Sequence, residues 1–194
     1  NLETGSEENC GPKKDNVLDK KDWKDIFCDL QMEVRYWLLD YIWNKWYRND
    51  VIKKYGLHFD SSLSLGEDFI FNTQYFQYVQ RAVLLKKVYY QYLVGANGLA
   101  SRFSPKPWIG RMKLYEAQKS LYITLNIWDS QKERIQIQAG QIAFGDMRTI
   151  NRKNCFYTDI EKLQFVQEMM ESEQFSFLLC YLKKKKSILF QIYY

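Results

Sequence analysis

The chain has 194 residues, 46% of them hydrophobic and 26% charged, the balance of a soluble globular protein with room for a sizeable core. Four scattered cysteines (Cys10, Cys28, Cys155 and Cys180), with no C-x-x-C pair, argue against a disulfide scaffold and read as reduced thiols in a cytoplasmic protein. One histidine, His58, gives no support to a His-based zinc site or a Ser-His-Asp triad.

The formal net charge of +5 is unevenly spread: eight acids against five lysines leave residues 1–29 at −3, so the remainder carries +8. A basic body suits nucleic acid, anionic lipid or phosphate-bearing substrates, and charge alone does not choose among them. Aromatic residues reach 17%, which fits either a ligand cleft or an aromatic-rich core. No apolar run approaches the ~18–20 residues that span a bilayer, and the polar, acidic start does not resemble a signal peptide.

Residues 1–16 are polar, with Gly5, Gly11 and Pro12, and read as a flexible lead-in. From Trp23 to Tyr41, apolar residues at steps of three and four predict an amphipathic helix or helix pair. Trp43 to Arg48 alternates bulky and polar residues and predicts a short strand. Asn49 or Asp50 is expected to cap a helix over Val51–Tyr55, with Gly56 ending it in the left-handed conformation. Ser64 and Glu67 have capping-box spacing, and the helix they open should bury Phe69, Ile70, Tyr75, Phe76 and Val79. Residues 82–94 predict one or two strands before the turn at Gly95–Gly98. Beyond Pro105 and Pro107 the chain reads as mainly helical, with a helix over Ile109–Trp128. A second helix should open at a Thr158–Glu161 capping box and continue through Ile160, Leu163, Val166 and Met170. The fold class is therefore α/β, helix-dominated with few strands.

The segment WNKWYRNDVIKKYGLHFDSSLSLGEDFIFNTQYF (residues 43–76), followed by VYYQYLVGANGLASR (residues 88–102), resembles the distal half of bacterial family 2 glycosyltransferases. There a Trp-Asn-Lys strand precedes a short helix, an extended Phe-Asp, Gly-Glu-Asp at a helix start and an aromatic strand. Order and intervals agree over about sixty residues, which matters because one Glu-Asp pair is expected by chance in a chain of this length. Taken without those flanks, Glu67-Asp68 is most simply a helix N-terminus with acids in its favourable first turn.

The resemblance implies a partial GT-A fold that lacks most of the N-terminal nucleotide-binding half, with an inverting transfer of a sugar from a nucleotide-diphosphate donor to a saccharide or glycoconjugate acceptor in cell-surface polysaccharide assembly. It implies that Asp68 is the catalytic base and that Glu67 orients the acceptor or closes the capping box. Trp43, Asn44, Lys45, Gly66 and Arg102 would contact substrate. Such a base has a chemical rationale, since the acceptor hydroxyl must lose its proton as the new bond forms. Asp68 is expected near Trp43–Lys45, in a cleft open to solvent. The complete enzyme would use a divalent cation, manganese or magnesium, held by an Asp-x-Asp motif. No such motif occurs here, so no metal site is expected in this chain. After the aromatic strand the family often has serines where this chain has Asn97-Gly98-Leu99-Ala100. That leaves Arg102 as the nearest local donor to a phosphate or sugar oxygen, or equally as a solvated loop arginine.

The expected organisation is a lead-in over 1–16, an acceptor-side catalytic half over 17–104 and a mainly helical extension over 105–194. Lys183–Lys186, followed by an apolar and aromatic end, would suit contact with a membrane surface at its inner face, or a solvated turn before a core element. A rival reading is a non-catalytic basic helical module binding nucleic acid or a protein, for which Lys86-Lys87-Val88-Tyr89-Tyr90 is the best feature. The glycosyltransferase reading itself expects no nucleic-acid partner.

Overall fold

The computed structural model describes residues 12, 14–22, 27, 39–63, 66–91, 106–151 and 155–183. Helices dominate these residues, beside one two-stranded sheet. The chain divides into two compact units. One takes Asn1–Gly98 with Ser120–Ile127, the other Leu99–Lys119 with Trp128–Tyr194.

In the first unit, strand β1 (Asn16–Asp19) pairs antiparallel with β2 (Arg81–Leu84), setting Val17 against Val83, Leu18 against Ala82 and Asp19 against Arg81. The side-chain alternation of a strand puts Leu18 in the core and leaves both valines open to water. A ribbon this short has little stability of its own. The Asp15 carboxylate extends it by accepting the Lys86 N–H at 2.6 Å. Asp19 then accepts the amides of Lys21 and Asp22, the bonding of a helix N-cap, and residues 20–22 are helical.

This strand begins at Asn16, the last residue of the expected lead-in; residues 1–11 lie outside the described residues, as does most of the helix expected over 23–41. Of that helix's apolar positions, Phe27 is fully buried, as is Leu39 in the turn at residues 39–40. Phe27 meets Phe76 and Tyr122 at ring distances of 5.3 and 5.7 Å.

Helix α1 (Asn49–Tyr55) ends as expected: Gly56 is left-handed, with φ 60°, and the Gly56 and Leu57 amides reach back to Lys53 and Ile52. Its start differs. Arg48 is the N-cap, and the Asp50 carboxylate pairs with the Arg48 guanidinium at 2.5 Å instead of capping. Helix α2 (Glu67–Phe76) buries Phe69, Phe71, Asn72, Thr73, Tyr75 and Phe76, a core face wider than one stripe.

The expected strand over Trp43–Arg48 does not form. Residues 43–44 make a turn and 45–48 belong to no sheet. Side chains take the place of a neighbouring strand: the Tyr75 hydroxyl accepts the Arg48 N–H at 2.9 Å, and the Tyr47 hydroxyl donates to Asn72 at 2.6 Å. Of the strands expected over 82–94, Arg81–Leu84 is the part realised; residues 92–94 lie outside the described residues.

Helix α3 (Pro107–Thr124), which belongs to the second unit up to Lys119 and to the first from Ser120, begins at a proline, whose missing N–H costs nothing at a first helical position. The single helix expected over Ile109–Trp128 is two. Asn126 takes φ 58°, the Asn126 and Ile127 amides turn back to Ile123 and Tyr122, and α4 (Trp128–Met147) starts afresh. A short 3-10 turn (Arg148–Asn151) follows.

Helix α5 (Asp159–Glu171) carries both arms of the expected Thr158–Glu161 capping box. Most of the face expected to pack is exposed, however, with only Val166 half-buried. Ile160, Leu163 and Met170 lie open, while Phe165 and Met169 are buried, because Phe165 meets Trp108 and Tyr157 edge-on at 5.5 and 6.2 Å. Helix α6 (Glu173–Lys183) packs on α4 through Leu178 and Leu182, which come within contact of where a side chain at Gly140 would start. Arg111 grips the buried Asp146 with two hydrogen bonds, at 3.0 and 3.3 Å, tying α3 to α4.

Candidate active site

Gly66 sets the position of Glu67 and Asp68. Its φ of 90° is open to glycine and strained for other residues, and it serves as N-cap, so α2 opens with Glu67 as its first residue. The Ser64 capping box would have placed Glu67 one turn inside the helix; Ser64 itself lies outside the described residues. Upstream, Asp60 accepts the Ser62 amide and hydroxyl at 2.9 and 2.6 Å, and Phe59 stacks on Phe71 at 4.6 Å. The extended Phe-Asp segment is thus bound to α2 at one end and turned at the other.

The structure brings Asp68 to the turn that carries Trp43, Asn44 and Lys45. The Ile42 amide lies near the Asp68 carboxylate and, with Lys45, favours its charged form. Burial pushes the Asp68 carboxyl above the usual carboxylate range, and the Glu67 charge adds to this; the Ile42 amide and Lys45 offset part of it. Asp68 is half-buried.

Lys45 donates to the Tyr41 carbonyl and, at 2.6 Å, to the Asn44 side chain. Burial lowers its pKa to about 7, against the opposing pull of Asp40 and Asp68. Glu67 keeps one carboxylate oxygen away from water with no hydrogen-bond partner among the described residues, a state that costs about 1–3 kcal/mol and persists where something else requires it. Arg102 lies outside the described residues, as do Lys184–Lys186.

Residues that the sequence did not single out hold this arrangement together. Asn72, fully buried, donates to the Leu39 and Tyr41 carbonyls at 2.8 and 3.1 Å and accepts from Tyr47 at 2.6 Å. It therefore anchors the turn above α2 from both sides. Burial raises the Tyr47 phenol above its ordinary value, and Asp68 and Tyr75 add to the effect. Tyr41 and Trp43 lie 5.2 Å apart, and Trp43 stacks on Tyr90 at 5.1 Å. A signal for Asn72 was present in Phe-Ile-Phe-Asn-Thr, since a polar side chain inside an apolar helix run is buried only with partners.

Among the described residues, no group of three or more His, Cys, Asp or Glu side chains could hold a metal ion, so this part of the chain does not fit the divalent cation of the resembled family. No helix among them is long and apolar enough to cross a membrane. His58 is exposed, with Nδ1 2.9 Å from the Gly56 carbonyl, and Cys155 and Cys180 are free thiols. In the second unit a shallow groove of about 320 Å³ is lined by Lys106, Trp108, Ile109, Glu168 and neighbours, and contains none of the candidate site residues. Comparison with protein-family models, with curated proteins and with solved structures gave no significant match.

Proposed function

We propose that this chain forms the acceptor side of an inverting glycosyltransferase with a GT-A-like fold, and that Asp68 is its base. The observation carrying this reading is the placement of Asp68: a half-buried carboxylate of raised proton affinity at a helix start, beside the Trp43-Asn44-Lys45 turn. A carboxylate titrating nearer neutrality holds a proton better at the moment an acceptor hydroxyl must release one.

In the reaction, the acceptor oxygen attacks the anomeric carbon from the face opposite the leaving nucleotide diphosphate. The carbon–oxygen bond to the diphosphate breaks as the new glycosidic bond forms, and the hydroxyl proton passes to Asp68. Lys45, close enough to lower the Asp68 pKa, limits how far burial raises it, and Glu67 works in the opposite direction. The metal and the nucleotide pocket would come from outside the described residues. The Lys183–Lys186 cluster would add attraction to an anionic membrane surface.

The test is turnover of the complete enzyme with Asp68→Asn and Glu67→Gln. The amide keeps the volume of Asp68 and loses the proton acceptor, so initial rates should fall about 10²–10⁴-fold with melting temperature and donor affinity unchanged. Glu67→Gln should cost less. Near-normal turnover in Asp68→Asn would remove the base assignment.

A further inference from the structure

Tyr90 leaves 52% of its surface open to solvent, yet its ring is held in place, stacked on Trp43 at 5.1 Å with an interplanar angle of 26°. Trp43 in turn lies against Tyr41. Between Tyr41 and Trp43 in the chain sits Ile42, whose amide lies near the Asp68 carboxylate and favours its charged form. An aromatic wall and the proposed base therefore share one backbone turn, itself anchored by Asn72 on the Tyr41 carbonyl.

We infer that the exposed ring of Tyr90, backed by Trp43, is the surface on which the acceptor saccharide stacks, one face of a sugar ring against the phenol while its hydroxyl reaches Asp68. The inference rests on the transferase reading and adds the acceptor subsite to it. One face of a pyranose presents weakly positive C–H groups, which suit the negative face of an aromatic ring, while its hydroxyls stay free for polar groups. A ring already packed on a second aromatic also loses little freedom when a ligand arrives.

Lys86 and Lys87 lie just upstream of these rings, and Lys87 sits 5.3 Å from the ring centre of Tyr89, features that would also suit a nucleic acid. The carboxylates of Asp40 and Asp68 near Lys45, with Glu67 beside Asp68, weigh against that occupant, since they repel a phosphodiester backbone and leave an uncharged sugar unaffected.

The experiment uses the 194-residue chain without donor and follows saturation-transfer NMR with cellobiose, lactose and N,N′-diacetylchitobiose as probes. At least one disaccharide should bind saturably in the millimolar range. Tyr90→Ala should weaken it up to about tenfold, with Tyr90→Phe retaining affinity. Trp46→Ala is the control: Trp46 is 75% exposed and pairs with Tyr89, not Tyr90, so its loss should not matter. Melting curves confirm that each variant folds.

The inference is overturned if no disaccharide binds, if Trp46→Ala loses as much as Tyr90→Ala, or if a short oligothymidylate binds in a salt-dependent way that Tyr90→Ala abolishes. Disaccharide binding with no transfer by the complete enzyme would keep the subsite and end the transferase reading. Transfer that is indifferent to Tyr90→Ala would do the reverse.

Discussion

Lys45 illustrates how one side chain can link site chemistry to stability. Its ammonium, partly removed from water, has a pKa lowered to about 7 from an unfolded value near 10.5. Between those values the unfolded chain holds a proton that the folded chain has released, so stability rises with pH across that window. Below the folded pKa the cost of burying the charge is present in full, and it is relieved as pH climbs. Unfolding free energies from denaturant titrations should therefore rise between pH 7 and 9, by at most about 1.4 kcal/mol per pH unit. Lys45→Met should flatten that slope, and an unchanged slope would show that Lys45 stays charged. Asn72 acts through geometry alone. Asn72→Ala strips two carbonyls and the Tyr47 hydroxyl of their partner, so urea unfolding should register a loss of about 1–3 kcal/mol. Under the proposed transferase role, turnover should fall as well, since the turn above Asp68 loses its anchor, and thermal melting separates the two effects.

Helix α4 carries two glycines with opposite roles. A Cβ at Gly140 would sit 2.7 Å from the Leu178 carbonyl and 3.0 Å from the Leu182 side chain, whereas one at Gly145 meets nothing within 4 Å. Gly140→Ala should destabilise by about 1–3 kcal/mol, because backbone must move to admit the methyl. Gly145→Ala should stabilise by up to about 1 kcal/mol, through helix propensity. Chemical denaturation of both variants checks the pair, and equal signs would contradict the close α4–α6 approach. Helix signals written into single residues were legible in the sequence: the Thr158–Glu161 box and the Gly56 cap form as their local chemistry requires. Signals that depend on a neighbour were not. The apolar positions Ile160, Leu163 and Met170 share a helical period with a core face, but Trp108 and Tyr157 lie on the other side of α5, against Phe165.

Across the molecule as a whole, the proposed site draws all its described parts from the first unit, while the second is built on its own helical core of Trp108, Ile135, Phe165, Met169 and Leu178. With no Asp-x-Asp in the sequence and no carboxylate cluster for a cation among the described residues, calorimetry of this chain with common nucleotide sugars and manganese should give no saturable heat. A micromolar donor site would show that the chain carries a nucleotide pocket, against the acceptor-side reading.

The sequence by itself determined the helix-dominated class, the left-handed Gly56 and the capped start of α5, because each follows from composition or from bonding within a few residues. Only the tertiary structure decided that Asn16–Asp19 is a strand and that Trp43–Arg48 is not. A strand exists by virtue of its partner: β1 has β2, whereas residues 43–48 meet the side chains of Asn72 and Tyr75. The same holds for the site, since the raised proton affinity of Asp68 and the lowered pKa of Lys45 come from burial against residues distant in the chain. Burial is a property of packing, which no local spacing records.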